Sequence, residues 1–273
     1  MTAELPHLPY RLVATDLDGT LLGPDHTVSE RSRRALAAAT EAGAAHIVVT
    51  GRPVARTRHV LESLGYQGLA VCMQGAQVYH AGEQRLLTSV TLDRQTARLA
   101  LEKIEATTGR LAVAAALDGM DGDIVLGPGY RLFESELPVG QVEVLDELWT
   151  TPISKLYIQH PRLSDDELAE AATAAAGGLV GVVMSGAGIV ELLPLGLSKA
   201  RGLSLAARRL GLTAADTVAF GDMPNDLPMI DWAGYGVAMG NAHESLKSAA
   251  DEVTASNAED GIAVVLERLF PAV

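Results

Sequence analysis

The stretch Arg11–Leu22, RLVATDLDGTLL, decides how the rest of the 273-residue chain is read. Leu12-Val13-Ala14 is an apolar run that suits a buried strand, and it gives way to Asp16-Leu17-Asp18-Gly19-Thr20. Two carboxylates two positions apart, just past a hydrophobic strand, are costly unless a cation or hydrogen bonds hold them. Gly19 permits a sharp backbone turn, so Asp16 and Asp18 can face one small volume. That volume suits a hard cation such as Mg²⁺ shared with substrate phosphate, and an Asp carboxylate can itself attack phosphorus. Alone, the segment equally suits a strand followed by an Asx turn. The flanking chain decides.

Moving outward, Thr27-Val28-Ser29-Glu30 has the form of a capping box and predicts a helix to about Gly43. His46–Val49 predicts a strand ending in Thr50-Gly51-Arg52. Pro53 and Gly65 bracket a second helix, and Leu69–Met73 is a third strand leading into Gln74-Gly75-Ala76. This alternation predicts a parallel sheet with right-handed crossovers. From about Leu86 the pattern changes. Asp93 caps a helix to Gly109, and strands are predicted at Leu111–Leu117, Ile124–Leu126, Tyr130–Phe133 and Ile153–Gln159. Ser164–Glu167 is a second capping box, opening a helix to Gly177. Leu179–Met184 and Ile189–Leu193 flank a Gly186-Ala187-Gly188 turn as a closing hairpin.

After Pro194 the first pattern returns: a helix from Ser198-Lys199 to Gly211, and a strand Thr217–Phe220 running into Gly221-Asp222. Then come a helix from Asn225 to Ala233, a strand Tyr235–Met239, and helices near Glu244–Ala250 and Glu259–Leu269. The expected architecture is α/β, with a Rossmann-like parallel-sheet core made of residues 1–85 and 188–273. An α+β unit, residues 86–187, is inserted into it as a cap.

Composition narrows the chemistry. With 34 acidic and 21 basic residues the formal charge is −13, which argues against a nucleic-acid or anionic-membrane partner. Hydrophobic residues make up 48% and aromatics 4%, so Ala, Val and Leu must build the core. The single cysteine, Cys72, sits in an apolar strand run, which predicts a buried thiol and a reducing compartment. The N-terminal MTAELPHLPYRL lacks the pattern of a signal peptide, and Ala171–Met184 is too short and glycine-broken to span a bilayer. The expected location is the cytoplasm. Asp118–Asp123 lacks the ligand spacing and distal Glu of a calcium loop and reads as a turn.

Three apolar runs end in polar groups: Val13-Ala14 into Asp16, Val48-Val49 into Thr50, and Ala219-Phe220 into Asp222. Open parallel sheets bind ligands beyond the carboxyl ends of their strands, so these residues converge if the strands are neighbours. The Thr50 hydroxyl and Gly51 N–H can donate to a phosphate oxygen at the adjoining helix start. Lys199, also at a helix start, can bring an ammonium to the same anion. Gly221–Asp226 adds two acids and an amide in one tight loop.

The order of these pieces resembles the haloacid dehalogenase-like (HAD) superfamily, in particular the Cof-type phosphatases with a large α/β (type IIB) cap. The resemblance covers nearly the whole chain. It rests on Asp16-Leu17-Asp18-Gly19-Thr20-Leu21, Thr50-Gly51-Arg52, Leu197–Gly202 and Gly221-Asp222-Met223-Pro224-Asn225-Asp226. The segments Ala238–Ala242, Ala250–Thr254 and Asn257–Gly261 are similar to that subgroup's ending. Two departures stand out: Gln74 where Asn is usual, and Pro224, which restricts Met223 to extended conformations.

The resemblance implies Asp16 as nucleophile and Asp18 as acid and then base. It implies Mg²⁺ bound by the Asp16 carboxylate, the Asp18 carbonyl and Asp222. Thr50, Gly51, Lys199 and Asn225 would bind phosphate, with Thr20, Arg52 and Asp226 in support. The implied activity is a Mg²⁺-dependent phosphatase acting on a small phosphorylated metabolite, sugar phosphates among the candidates, through an aspartyl-phosphate. A phosphomutase using the same intermediate, and a non-catalytic phospho-ligand sensor, are the alternatives. Cap residues would select the substrate.

Overall fold

The computed structural model describes residues 10–131, 139–186 and 188–271. The three N-terminal apolar runs form β1 (Leu12–Thr15), β2 (Ala45–Val49) and β3 (Leu69–Cys72), paired in parallel. Two crossover helices join them: α1 (Glu30–Glu41) and α2 (Val54–Ser63). β4 (Gln77–His80) and β5 (Arg85–Ser89) then turn back antiparallel on the sheet edge.

Helix α1 starts two residues later than a Thr27–Glu30 box would have it. Thr27 is held by Asp25, which accepts from both its N–H (3.0 Å) and its hydroxyl (2.8 Å). Ser29 is therefore the cap, its Oγ accepting from Ser32 N–H at 3.0 Å.

The inserted unit holds α3 (Arg94–Thr108), β6 (Ala112–Leu117), β7 (Ile124–Leu126), β8 (Gly140–Gln141) and β9 (Ile153–Gln159). It continues with α4 (Asp165–Ala176), β10 (Val180–Gly186) and β11 (Ile189–Pro194). Asp93 caps α3, and the Ser164–Glu167 box caps α4 reciprocally. The two helices pack together over a six-stranded sheet of order β10-β11-β9-β6-β7-β8. The strand expected at Tyr130–Phe133 runs into residues outside the described set, and Tyr130 and Arg131 themselves lie in no strand.

Sheet membership moves both expected boundaries of the insert. The sequence pattern puts residues 86–89 in the cap, yet β5 pairs with β4 and extends the core sheet. The same pattern puts residues 188–194 in the core, yet β11 pairs with β9 and β10 in the cap sheet. The reason is that both strands are hairpin partners, and a hairpin partner joins its neighbour's sheet whatever the composition suggests. The excursion therefore runs from about residue 90 to about residue 195.

The chain returns with α5 (Lys199–Arg209), β12 (Thr217–Gly221), α6 (Leu227–Trp232), β13 (Tyr235–Ala238), α7 (Glu244–Ala249), β14 (Glu252–Val253) and α8 (Gly261–Leu269). The completed core sheet has the order β14-β13-β12-β1-β2-β3-β4-β5, and its strands from β14 to β3 are parallel. Helices on such a sheet explain why its central strands read as continuous apolar runs. Leu12, Val13, Ala14, Val218, Ala219 and Phe220 are buried in one hydrophobic cluster. Cys72 is buried there too, and burial pushes its thiol up to about 12, so it is an inert core group. Among the described residues, no helix is long and apolar enough to cross a membrane.

Candidate active site

Strand order converts distant sequence positions into neighbours. β1 lies between β2 and β12, so the chain order reverses at β1, which is where open parallel sheets leave a crevice. Asp16 follows β1 and Asp222 follows β12, with Thr15 in register with Phe220 and the Asp16 N–H donating to Phe220 O at 3.1 Å. One carboxylate oxygen from each of Asp16, Asp222 and Asp226 lies within 4.8 Å of the others. Among the described residues, this cluster could hold a metal ion.

The loop after β1 presses against Asp222. Gly19 has φ +70°, and a Cβ there would lie 2.2 Å from Asp222 Oδ2, so both conformation and space require glycine. Thr20 donates its hydroxyl to Asp222 Oδ1 at 3.0 Å. The C-terminal motifs hold the same loop from outside. Asn241 Nδ2 donates to Gly19 O and Asn257 Nδ2 to Leu22 O, each at 2.8 Å.

Lys199 enters at the first turn of α5. That helix lies tight on the β3–β4 turn: Cβ atoms on Gly202 and Gly75 would come within 2.6 Å of Gly75 Cα and 2.2 Å of Ser198 O. The Lys199 ammonium, 1% exposed, stands 2.9 Å from Asp16 Oδ1 and 2.6 Å from Asp226 Oδ1. The other Asp226 oxygen accepts from the Asp222 and Met223 N–H groups at 3.0 and 3.1 Å. Asp226 thereby takes three donors and braces the loop. Met223 is extended (φ −114°, ψ 162°), as the following Pro224 demands.

Charge in this pocket does not balance. Burial, opposed by Lys199 but reinforced by Asp226, Asp222 and Asp18, raises the Asp16 carboxyl well above the usual carboxylate range. Burial and the neighbouring Asp226 push Asp222 up to about 7. Lys199 is held above the ordinary lysine range by Asp16 and Asp226 despite its burial. One ammonium among three clustered carboxylates leaves a negative excess, and a divalent cation with oxygen ligands would offset it. The donor set fits such an ion.

The remaining expected residues divide. Asp18 turns its carboxylate out of the cluster to Arg52, whose Nε donates to Asp18 Oδ2 at 2.8 Å, with a second contact from Nη2 to Oδ1. Thr50, fully buried at the end of β2, accepts on Oγ1 from the Arg52 N–H at 3.1 Å. Gly51 adjoins Gln74, whose Nε2 would lie 2.6 Å from a Cβ at position 51. Asn225 donates through Nδ2 to Gln74 Oε1 at 3.0 Å and keeps a buried Oδ1 with no partner among the described residues. His46, partly buried, shares a hydrogen bond of 2.8 Å with Thr15 Oγ1, and desolvation pushes its pKa down to about 4.

Two buried charges of the cap complete the surroundings, and sequence reasoning did not single them out. Lys155 of β9 and Glu191 of β11 form an ion pair at 2.6 Å. Each interrupts an apolar strand, Ile153–Ile158 and Ile189–Leu193, which was the available signal. The acidic turn 118–123 also does more than turn: Asp123 pairs with Arg56 and Asp121 with Arg58, both on α2 of the core.

The chain resembles known proteins over nearly its whole length. A family model described as haloacid dehalogenase-like hydrolase matches residues 13–266. The phosphatase YwpJ of Bacillus subtilis (strain 168) is 31% identical over 95% of this chain and 100% of its own. From the same organism, the 5-amino-6-(5-phospho-D-ribitylamino)uracil phosphatase YcsE is 26% identical, covering 96% and 97%. Among solved structures, BT1666 from Bacteroides thetaiotaomicron, a phosphatase of the HAD superfamily, superposes with TM-score 0.79 at 26% identity, covering 98% of this chain and 99% of that one.

Proposed function

The chain belongs to the haloacid dehalogenase-like hydrolases and is a phosphatase of the Cof type, and from that premise we propose a Mg²⁺-dependent enzyme that uses Asp16 as nucleophile on small phosphorylated metabolites. The observation that carries this reading is the convergence of Asp16, Asp222 and Asp226 around Lys199 at adjoining strand ends.

The Asp16 carboxylate attacks phosphorus in line. An aspartyl-phosphate P–O bond forms as the bond to the leaving alkoxide breaks. Asp18 gives the alkoxide a proton, then takes one from the water that hydrolyses the aspartyl-phosphate and restores Asp16. For Asp18 to carry that proton, Arg52 must leave its carboxylate, and an incoming phosphoryl dianion is the competing partner for the guanidinium. Lys199, the Thr50 hydroxyl and the Gly51 N–H hold the transferring oxygens. Asp16, the Asp18 carbonyl and Asp222 would hold Mg²⁺, braced by Asp226, and the ion supplies positive charge between nucleophile and phosphate. Asn225 keeps a buried acceptor without a partner among the described residues, which suits a bound water or substrate hydroxyl better than a phosphate oxygen.

A phosphorylated sugar or sugar alcohol is the substrate class this reading favours, since the relative YcsE acts on a phospho-ribitylamino compound. The cap, covering the strand ends, excludes water and reads the leaving group. The test is a phosphate-release screen over sugar and sugar-alcohol phosphates with Mg²⁺, beside trapping of the phosphoenzyme. Release of phosphate that Asp16→Asn eliminates is the expected result. Isomerised product without phosphate release identifies a mutase instead. Turnover undiminished in Asp16→Asn rejects the nucleophile.

A further inference from the structure

Lys155 and Glu191 are 1% and 2% exposed, and they bridge the cap sheet to two different groups of the core site. β9 and β11 are antiparallel neighbours with Glu191 opposite Tyr157, so Lys155 lies diagonally across on the same face. Lys155 Nζ donates to Glu191 Oε1 at 2.6 Å and to Gly51 O at 2.7 Å, and lies 4.7 Å from the Tyr157 ring centre. Glu191 also accepts from Ser185 Oγ at 2.9 Å and from Gln74 Nε2 at 2.8 Å. A buried ion pair is weak as a source of stability, since an apolar pair of similar volume does as well or better. Its orientation is what the site uses.

We propose that Lys155 and Glu191 are positioning residues which, when the cap is docked, set the hydrogen-bond sense of Thr50 and Asn225 in the phosphoryl site. The inference rests on the reading of Thr50 as a phosphate donor and Asn225 as a site group given above.

On one arm, Lys155 polarises the peptide between Gly51 and Arg52 at its carbonyl. The N–H of that peptide, on Arg52, donates to Thr50 Oγ1 at 3.1 Å. With an acceptor site on that oxygen filled, the Thr50 proton is left for another acceptor, a phosphoryl oxygen. On the other arm, the Glu191 carboxylate only accepts, so Gln74 must present its NH₂ to it. Gln74 Oε1 then faces Asn225, which must present Nδ2, and Asn225 Oδ1 is left as an unpartnered buried acceptor. Gln74 is held for this at φ +57°, a left-handed conformation that a non-glycine residue adopts at a cost, and one that recurs at functional sites. The extra methylene of Gln over the usual Asn lets this side chain touch the cap's Glu191 and the core's Asn225 at once.

The sense of the second arm can be broken and restored without changing shape. Glu191→Gln directs an oxygen to Lys155 and an NH₂ to Gln74, which must turn over and reverse Asn225. Gln74→Glu alone opposes two carboxylates. The double exchange Gln74→Glu with Glu191→Gln reverses the bond between positions 74 and 191 but gives Asn225 Nδ2 its acceptor again, which restores the original sense of Asn225.

With p-nitrophenyl phosphate and saturating Mg²⁺, each single exchange should lower kcat by about 10–100-fold, with KM moved by less than about threefold, the range for misplaced supporting groups. The double exchange should recover kcat to within about threefold. Lys155→Met should cost a similar factor in the wild-type chain but under about threefold in a Thr50→Val background, because the two act in series. Thermal unfolding of each variant separates loss of fold from loss of alignment, and the near-isosteric exchanges test the proposal even if Lys155→Met does not fold. Single exchanges within twofold of wild type, or a double exchange no faster than the slower single one, overturn it. Equal cost of Lys155→Met in both backgrounds overturns the Thr50 arm. A Thr50→Val enzyme with unchanged kcat rejects the reading of Thr50 itself, which the Gln74–Glu191 exchange does not depend on.

Discussion

Two buried lysines, Lys199 in the core and Lys155 in the cap, are equally hidden from solvent and oppositely placed in charge. Lys199 meets two carboxylates directly, within a cluster of three, and its proton is held more tightly than in water. Lys155 meets one carboxylate, and burial, aided by the nearby Lys199, lowers its pKa in spite of Glu191. The core pocket carries a negative excess, which favours binding of a cation. The cap pair is balanced one against one and can dock without bringing a net charge. Reaction and alignment are divided between the two regions on this basis.

The sharpest way to break that division is Asp16→Asn. Removing the charge and the nucleophile should drop phosphatase turnover by about 10⁴-fold or more, measured as phosphate release with a phosphoenzyme assay in parallel. Asp18→Asn should leave the metal site but cost about 10²–10⁴-fold in kcat, the size of an acid–base contribution. A residual rate close to wild type would move the proton transfer to another group.

Asp222→Ala should weaken Mg²⁺ binding by about tenfold or more, read by calorimetric titration, while leaving the cap pair untouched. The pH dependence of stability sharpens the comparison further. In chelator, the native state holds its Asp222 proton up to about pH 7, whereas the unfolded chain releases it near 3.8. Between those values the native state binds more protons, so unfolding free energy falls as pH rises through the window. Asp222→Asn should flatten that fall. Saturating Mg²⁺ should also remove it, because the ion takes the proton's place. A metal-free unfolding midpoint that rises from pH 5 to pH 7 in a manner Asp222→Asn abolishes would reverse the sign assigned here.

The smallest effect belongs to the exposed contact between the regions. Asp121 is 77% exposed where it meets Arg58. Asp121→Asn should change stability by no more than about 1 kcal/mol in chemical denaturation and leave Mg²⁺ affinity unchanged.

How much was legible beforehand follows from range of interaction. The caps on α3 and α4, the stop at Gly65 and the strand at Ile153–Gln159 are written in residues that touch one another along the chain. Helix α1 shows the limit of such signals. Thr27 and Ser29 both suit a cap, and Asp25 decides by engaging Thr27 first. The insert's boundaries were misplaced because β5 and β11 resemble their neighbours in composition, and only pairing assigns them to a sheet. Lys155 and Glu191 were missed because a lone charge in an apolar run has no partner until two strands pair.

The alternating α/β pattern, an inserted unit, the acidic motifs at strand ends and the family they resemble can all be read along the chain. Each of these depends on local periodicity, turn chemistry or the identity of a short motif. Chain folding in three dimensions was needed to put β1 between β2 and β12, to give Asp226 its three donors from Lys199 and two backbone N–H groups, and to join Glu191 to Asn225 through Gln74. Those contacts join residues far apart in the chain, Gln74 lying 117 positions from Glu191 and 151 from Asn225. Their sense and strength depend on which groups share a dry pocket, and that is set only when the sheets form and the cap docks.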